Sequence, residues 1–182
     1  MAENFTISLA TTEISMIASS KLRSRGSNLK IPFWISIDLI TNKNWFDIIQ
    51  PSLLIYKRRV AGRDNEAVTK VNWYMAHAFC NLLNTSRHSL NFPGLHISIP
   101  SASQWEFANS IFDETLGLSE WCNDPPMKDA NGNLLPNECR MIRRLDDGTS
   151  LDSRSNYRAM DYCAEDLSFR VCATARYTEE DE

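Results

Sequence analysis

Ile99-Pro100-Ser101-Ala102-Ser103-Gln104-Trp105-Glu106-Phe107-Ala108 is the stretch whose reading orders the rest of the chain. Ser101 and Gln104 stand at capping-box spacing, where each side chain satisfies a backbone N–H of the other residue at the start of a helix. Trp105, Ala108, Ile111 and Phe112 then recur at helical spacing, which predicts one buried stripe.

Working outward, Val71-Asn72-Trp73-Tyr74 announces a second helix, with Asn72 as its N-cap and Ala76, Phe79, Cys80 and Leu83 on its inner face. Further upstream Thr41 is a good N-cap for a short helix through Trp45, Phe46, Ile48 and Ile49, which ends before Pro51. Residues 5–17 alternate apolar and polar and read as strands, as does a region centred on Phe33, Trp34, Ile35 and Ile37. Downstream comes Leu118-Ser119-Glu120-Trp121-Cys122-Asn123-Asp124. Residues 123–166 are then rich in Asn, Asp, Arg, Ser and Pro, with turn signals at Pro125-Pro126, Asn131-Gly132 and Asp147-Gly148. Strands are expected at 141–145 and 169–173. Two main helices and a shorter one among short strands and much loop make an α+β chain. One domain is expected over residues 1–178, with a frayed acidic tail at 179–182.

Composition narrows the function. The chain has 182 residues, is 43% hydrophobic and 23% charged, and carries a net charge of −4. Its isoelectric point is about 5.4, so no basic excess invites nucleic acid. Local basic clusters at 21–25, 57–59 and 140–144 read as solvated surface. The N-terminus has neither a basic region nor a long apolar run, which predicts no signal peptide, no membrane span and a cytoplasmic protein. The five cysteines include no Cys-x-x-Cys pair, and Cys80, Cys122 and Cys172 read as buried thiols, not as disulfides or zinc ligands. His77, His88 and His96 are scattered and read as structural or surface residues. Glu106 and Glu120 each lie beside a tryptophan and are expected to be tied to backbone N–H groups or to an arginine, with Arg170 as one such partner.

Five motifs in order give the chain a resemblance to the sulfatase-modifying, formylglycine-generating enzyme-like domain, a variant of the C-type lectin fold. Trp34-Ile35-Ser36 through Ile40-Thr41-Asn42 is similar to that family's early strand, and Val71-Asn72-Trp73-Tyr74 to its Val-Ser-Trp before a helix. Ile99-Pro100-Ser101 to Glu106 is similar to its Leu-Pro-Thr-Glu-x-Glu-Trp-Glu. Glu120-Trp121-Cys122-Asn123-Asp124 resembles its Trp-Glu-Trp-Cys-x-Asp, and Phe169-Arg170-Val171 its Gly-Phe-Arg ending. The resemblance implies a C-type lectin-like chain, with few helices packed on short twisted strands. It also implies that Trp73, Trp105, Trp121 and Phe169 converge on one core.

The departures from the family bear on activity. Residues 109–119 nearly close a gap where the family carries calcium ligands, so no calcium is expected. The family's oxidases bind copper with two late cysteines. The matching stretch, 147–158, contains none, and Asp152 and Tyr157 fall near the lost positions. A non-catalytic binding module without a cofactor is therefore expected. The alternatives are a divergent oxidase using Cys163 with Cys139 or Cys172, or an interaction subunit of a phage or bacterial assembly.

Loops on a rigid scaffold are where recognition concentrates. Candidate contacts in the polar segment are Asn123, Asp152, Arg154, Asn156, Tyr157 and Arg158, with Tyr157 as aromatic anchor, the arginines as forked donors and Tyr162 as further aromatic area. A protein or glycan ligand is expected, with a peptide also open. In plan the chain also resembles the variable proteins of diversity-generating retroelements, whose diversified Asn, Ser, Asp and Tyr positions lie between a Trp and the final Phe-Arg. Residues 121–169 occupy that place.

Overall fold

A computed structural model describes residues 3–9, 11–21, 32–49, 63–85, 94–108, 118–125, 136–144 and 157–175. Within them the chain is mixed α+β, with three α-helices and two sheets. In chain order the elements are β1 (Phe5–Ser8), β2 (Glu13–Ala18), β3 (Phe33–Ser36), α1 (Asn42–Ile49), α2 (Trp73–Thr85), β4 (Leu95–Ser98), α3 (Ala102–Ala108), β5 (Ser119–Trp121), β6 (Cys139–Arg144), β7 (Tyr157–Ala159), β8 (Leu167–Ser168) and β9 (Cys172–Ala175).

Every expected helix start is found as local chemistry. The Thr41 hydroxyl accepts the Asn44 N–H at 3.1 Å while Asn44 Oδ1 accepts the Thr41 N–H at 3.0 Å. Asn72 Oδ1 accepts the Met75 N–H at 2.9 Å. The Ser101 hydroxyl accepts the Gln104 N–H at 3.2 Å, and Gln104 Oε1 returns the bond to the Ser101 N–H at 2.8 Å. Each cap satisfies a backbone donor that a helix end otherwise leaves without a partner.

The first sheet runs β1-β2-β3-β9-β4 and the second β7-β6-β5-β8. The first is antiparallel throughout, with the late strand β9 seated between β3 and β4. Strand alternation sorts its side chains onto two cores. Ala173 and Ile97 pair across β9 and β4 and face the larger core with α1 and α2, where the Trp45 and Phe79 rings stack at 5.7 Å. Ile35 and Cys172 pair across β3 and β9 and face a second core with Ala102, Trp105 and Ala108 of α3.

Two expectations need correction. Trp73, Trp121 and Phe169 meet in the larger core, but Trp105 lies in the second. The helix carrying it packs on the opposite face of the sheet from α1 and α2. Nor is 169–173 one strand. β8 belongs to the second sheet and β9 to the first, and Phe169, Arg170 and Val171 cross between them. The crossing is paired by other means: the Ile40 N–H donates to Phe169 O at 3.1 Å, and the Ser36 N–H to Val171 O at 2.9 Å. No helix among the described residues is long and apolar enough to cross a membrane.

Candidate functional site

Under the crossing segment lies a buried ion pair. Arg170 Nε donates to both carboxylate oxygens of Glu120, at 3.1 and 2.9 Å, and each side chain is 2% exposed. The guanidinium also donates to the carbonyls of Ser36 and Ile37. Burial pushes the Glu120 carboxyl above its usual range, while the Arg170 guanidinium and the nearby Trp105 indole pull it back. Glu120 thus ties α3 and β5 to the segment that joins the two sheets. Glu106, exposed on α3, pairs with Arg143 at 2.6 Å. Both acidic residues therefore engage arginines, which is how a carboxylate holds a frame together.

Of the candidate contacts, Asp152, Arg154 and Asn156 lie outside the described residues. Asn123 is exposed just past β5, and its N–H donates to Pro100 O at 2.9 Å. Its neighbour Asp124 accepts the Ala102 N–H at 2.5 Å, so this turn fastens β5 to the start of α3.

Tyr157 and Arg158 are adjacent in β7 and point opposite ways. Met141 pairs with Tyr157 and both face the second core, where Tyr157 is 8% exposed. Arg140 pairs with Arg158 on the other side of the sheet, where Ile142 packs against the larger core, and both arginines are half-buried at its edge. An aromatic anchor reaching a ligand must be exposed, so the structure places Tyr157 as a core residue and leaves the other face to its neighbours. Strand alternation is the reason.

That face is built from three places in the sequence. The Arg158 guanidinium lies 5.7 Å from the Tyr162 ring centroid, and Tyr162 is 41% exposed. Opposite Arg158, Arg140 lies 4.7 Å from the centroid of the Trp73 ring, at the start of α2. His77, one turn along α2, stacks on the same ring at 4.8 Å, and Tyr74 meets it edge-on at 5.9 Å. The α2 N-terminus is held here by the Trp73 N–H, which donates to Met160 O at 3.0 Å. Sequence reasoning singles out Arg158 and Tyr162 as candidate contacts and does not single out Tyr74, His77 or Arg140. The i, i+4 spacing of Trp73 and His77 was the available signal.

A separate cleft of about 750 Å³ opens beside the ends of β2 and β3. Glu13, Asp38 and Glu66 line it with Ile37 and Leu39, and Arg170 reaches its wall.

The described cysteines are all free. Burial pushes the Cys80, Cys122 and Cys172 thiols up, which disfavours the thiolate that redox and metal chemistry require. Cys163 is exposed and Cys139 half-buried. No group of three or more His, Cys, Asp or Glu side chains placed to hold a metal ion occurs among the described residues.

No protein-family model and no curated protein sequence matches the chain. Its structure is similar to that of Treponema denticola variable protein 1, at 15% sequence identity and a TM-score of 0.64, covering 97% of this chain and 100% of that one. At that identity the likeness establishes a shared mixed α+β fold along nearly the whole of both chains.

Proposed function

We propose that the chain is a non-catalytic recognition module on a C-type lectin-type scaffold, of the kind that diversity-generating retroelements vary. The observation that carries this reading is the fold likeness to a protein named as a variable protein, extending over almost the full length of each. The order of the sequence motifs supports the scaffold. The register of β6 and β7 supports the working face, because the polar segment 123–166 places Arg140 opposite Arg158 and Arg158 beside the exposed Tyr162. Asn123, Asp152, Arg154 and Asn156 belong to the same segment and are proposed as further contacts. Tyr157 supports the face from beneath.

The alternative of a divergent oxidase gains nothing from Cys172, whose buried thiol is held protonated. The proposal is tested in the surrounding DNA. A near-copy of the region encoding residues 123–166, beside a reverse transcriptase gene, is the expected result. A locus with neither overturns the retroelement assignment.

A further inference from the structure

The side chain of Asn84 stands where a strand would. It lies in the last turn of α2, and its amide makes two bonds to one residue of β4. Asn84 Oδ1 accepts the Ile97 N–H at 2.8 Å, and Asn84 Nδ2 donates to Ile97 O at 2.7 Å. A side-chain amide carries the same donor and acceptor types as a peptide group. Asn84 therefore fills the position that one residue of a neighbouring strand would take.

The position matters because β4 ends the first sheet, and no described strand lies beyond it. Along an antiparallel edge strand, alternate residues turn both backbone groups towards the neighbour and the next turn both away. Ile97 is in register with Ala173 of β9, yet its N–H and C=O both go to Asn84, so it is one of the outward residues. Leu95, two residues earlier, has the same sense. Such an edge is a ready template for a strand of another chain. Edges are commonly blunted by proline or lysine, and Leu95–Ser98 contains neither.

The helix end is held at the right height for this task. Leu83, next to Asn84, is fully buried in the larger core that also holds Ile97. The Thr85 hydroxyl donates to Asn81 O at 2.9 Å and to Leu82 O at 3.3 Å, which keeps the last turn closed around Asn84.

We propose that Asn84 latches the end of α2 over the free edge of the first sheet and so closes β4 to strand addition by a second copy of this chain. A second copy is the occupant that the edge itself specifies. β4 turned about a twofold axis perpendicular to the sheet presents the same outward groups to itself. That axis also keeps Ile97 of both copies on one face of the joined sheet. Without the amide, the last turn loses its two bonds to β4, and a terminal turn frays readily. The inference goes beyond the recognition reading and does not depend on it.

The test combines amide hydrogen exchange with sedimentation of the full chain over a range of concentrations. In the wild type the Ile97 amide should be protected to the same extent at every concentration. In Asn84→Ala it should exchange at least about tenfold faster in dilute solution, as local opening at a released helix end allows. At high concentration the variant should contain more dimer than the wild type, and Ile97 should regain protection. Asn84→Asp keeps the acceptor and loses the donor. It should move the same way by less, and it serves if the alanine variant fails to fold. A folded variant that sediments like wild type at every concentration overturns the proposal and leaves Asn84 as a tether of α2 alone. Self-association with Ile97 still unprotected places the contact elsewhere and also overturns it. A wild-type Ile97 amide that exchanges as an open one does overturns it without any variant.

Discussion

Arg170 and Glu120 form a fully buried ion pair that fixes the place where the chain leaves one sheet for the other. Arg170 sits in the segment between β8 and β9, and Glu120 in β5 beside the strand that segment leaves. Removing one partner of a buried pair leaves an uncompensated charge, at a cost of about 3–5 kcal/mol. Glu120→Gln and Arg170→Met should each destabilise by about that amount in urea unfolding, and the double variant should cost less than their sum. Additive costs would contradict a coupled pair.

Trp121 is wholly buried, and its indole N–H donates to Val71 O at 2.8 Å. Trp121→Ala should cost about 3–5 kcal/mol. Trp105→Ala should cost a similar amount through the second core. An unchanged thermal midpoint in either would remove that residue from the core.

Helix caps give a smaller, local prediction. Asn72→Ala removes the bond to the Met75 N–H, and Ser101→Ala the bond to the Gln104 N–H. Each should cost about 1 kcal/mol. Because Trp73 begins α2, the Asn72 change should also loosen the ring on which Arg140 and His77 rest. Chemical shifts of His77 would report it.

Thiol accessibility tests the interior directly. A water-soluble disulfide reagent at mildly alkaline pH should modify Cys163 first and Cys139 more slowly. Cys80, Cys122 and Cys172 should react only when the protein unfolds, since burial both excludes the reagent and pushes their thiols up. Rapid labelling of Cys172, mapped by mass spectrometry, would contradict its place in β9 facing the second core.

What the sequence made legible was local. Thr41, Asn72 and Ser101 cap helices through neighbours three residues away, so spacing alone reveals them. Apolar periodicity likewise located α1, α2 and most strands. The Glu120–Arg170 partnership was legible from chemistry, because a carboxylate beside a core tryptophan needs a donor. Tertiary direction was not. Tyr157 and Arg158 differ by one position in a short strand, and a shift of one residue exchanges inside for outside. Only the pairing with Met141 and Arg140 decides which is which. Phe169, Arg170 and Val171 look like strand because two apolar residues alternate with a polar one, yet the backbone partners of Phe169 and Val171 are Ile40 and Ser36. Arg140 belonged to a basic cluster that reads as solvated surface until Trp73 is found beneath it.

We propose that the β6–β7 surface carrying Arg158 and Tyr162 recognises a ligand while Tyr157 supports it from within. Partner capture from the native host, repeated with variants, tests it most directly. Arg158→Ala with Tyr162→Ala should reduce capture at least about tenfold and leave the melting curve in place. Tyr157→Ala should lower stability by about 3 kcal/mol, as the loss of a buried ring does. Capture that is undiminished in the double variant, or a Tyr157→Ala protein that melts like wild type, would contradict the account.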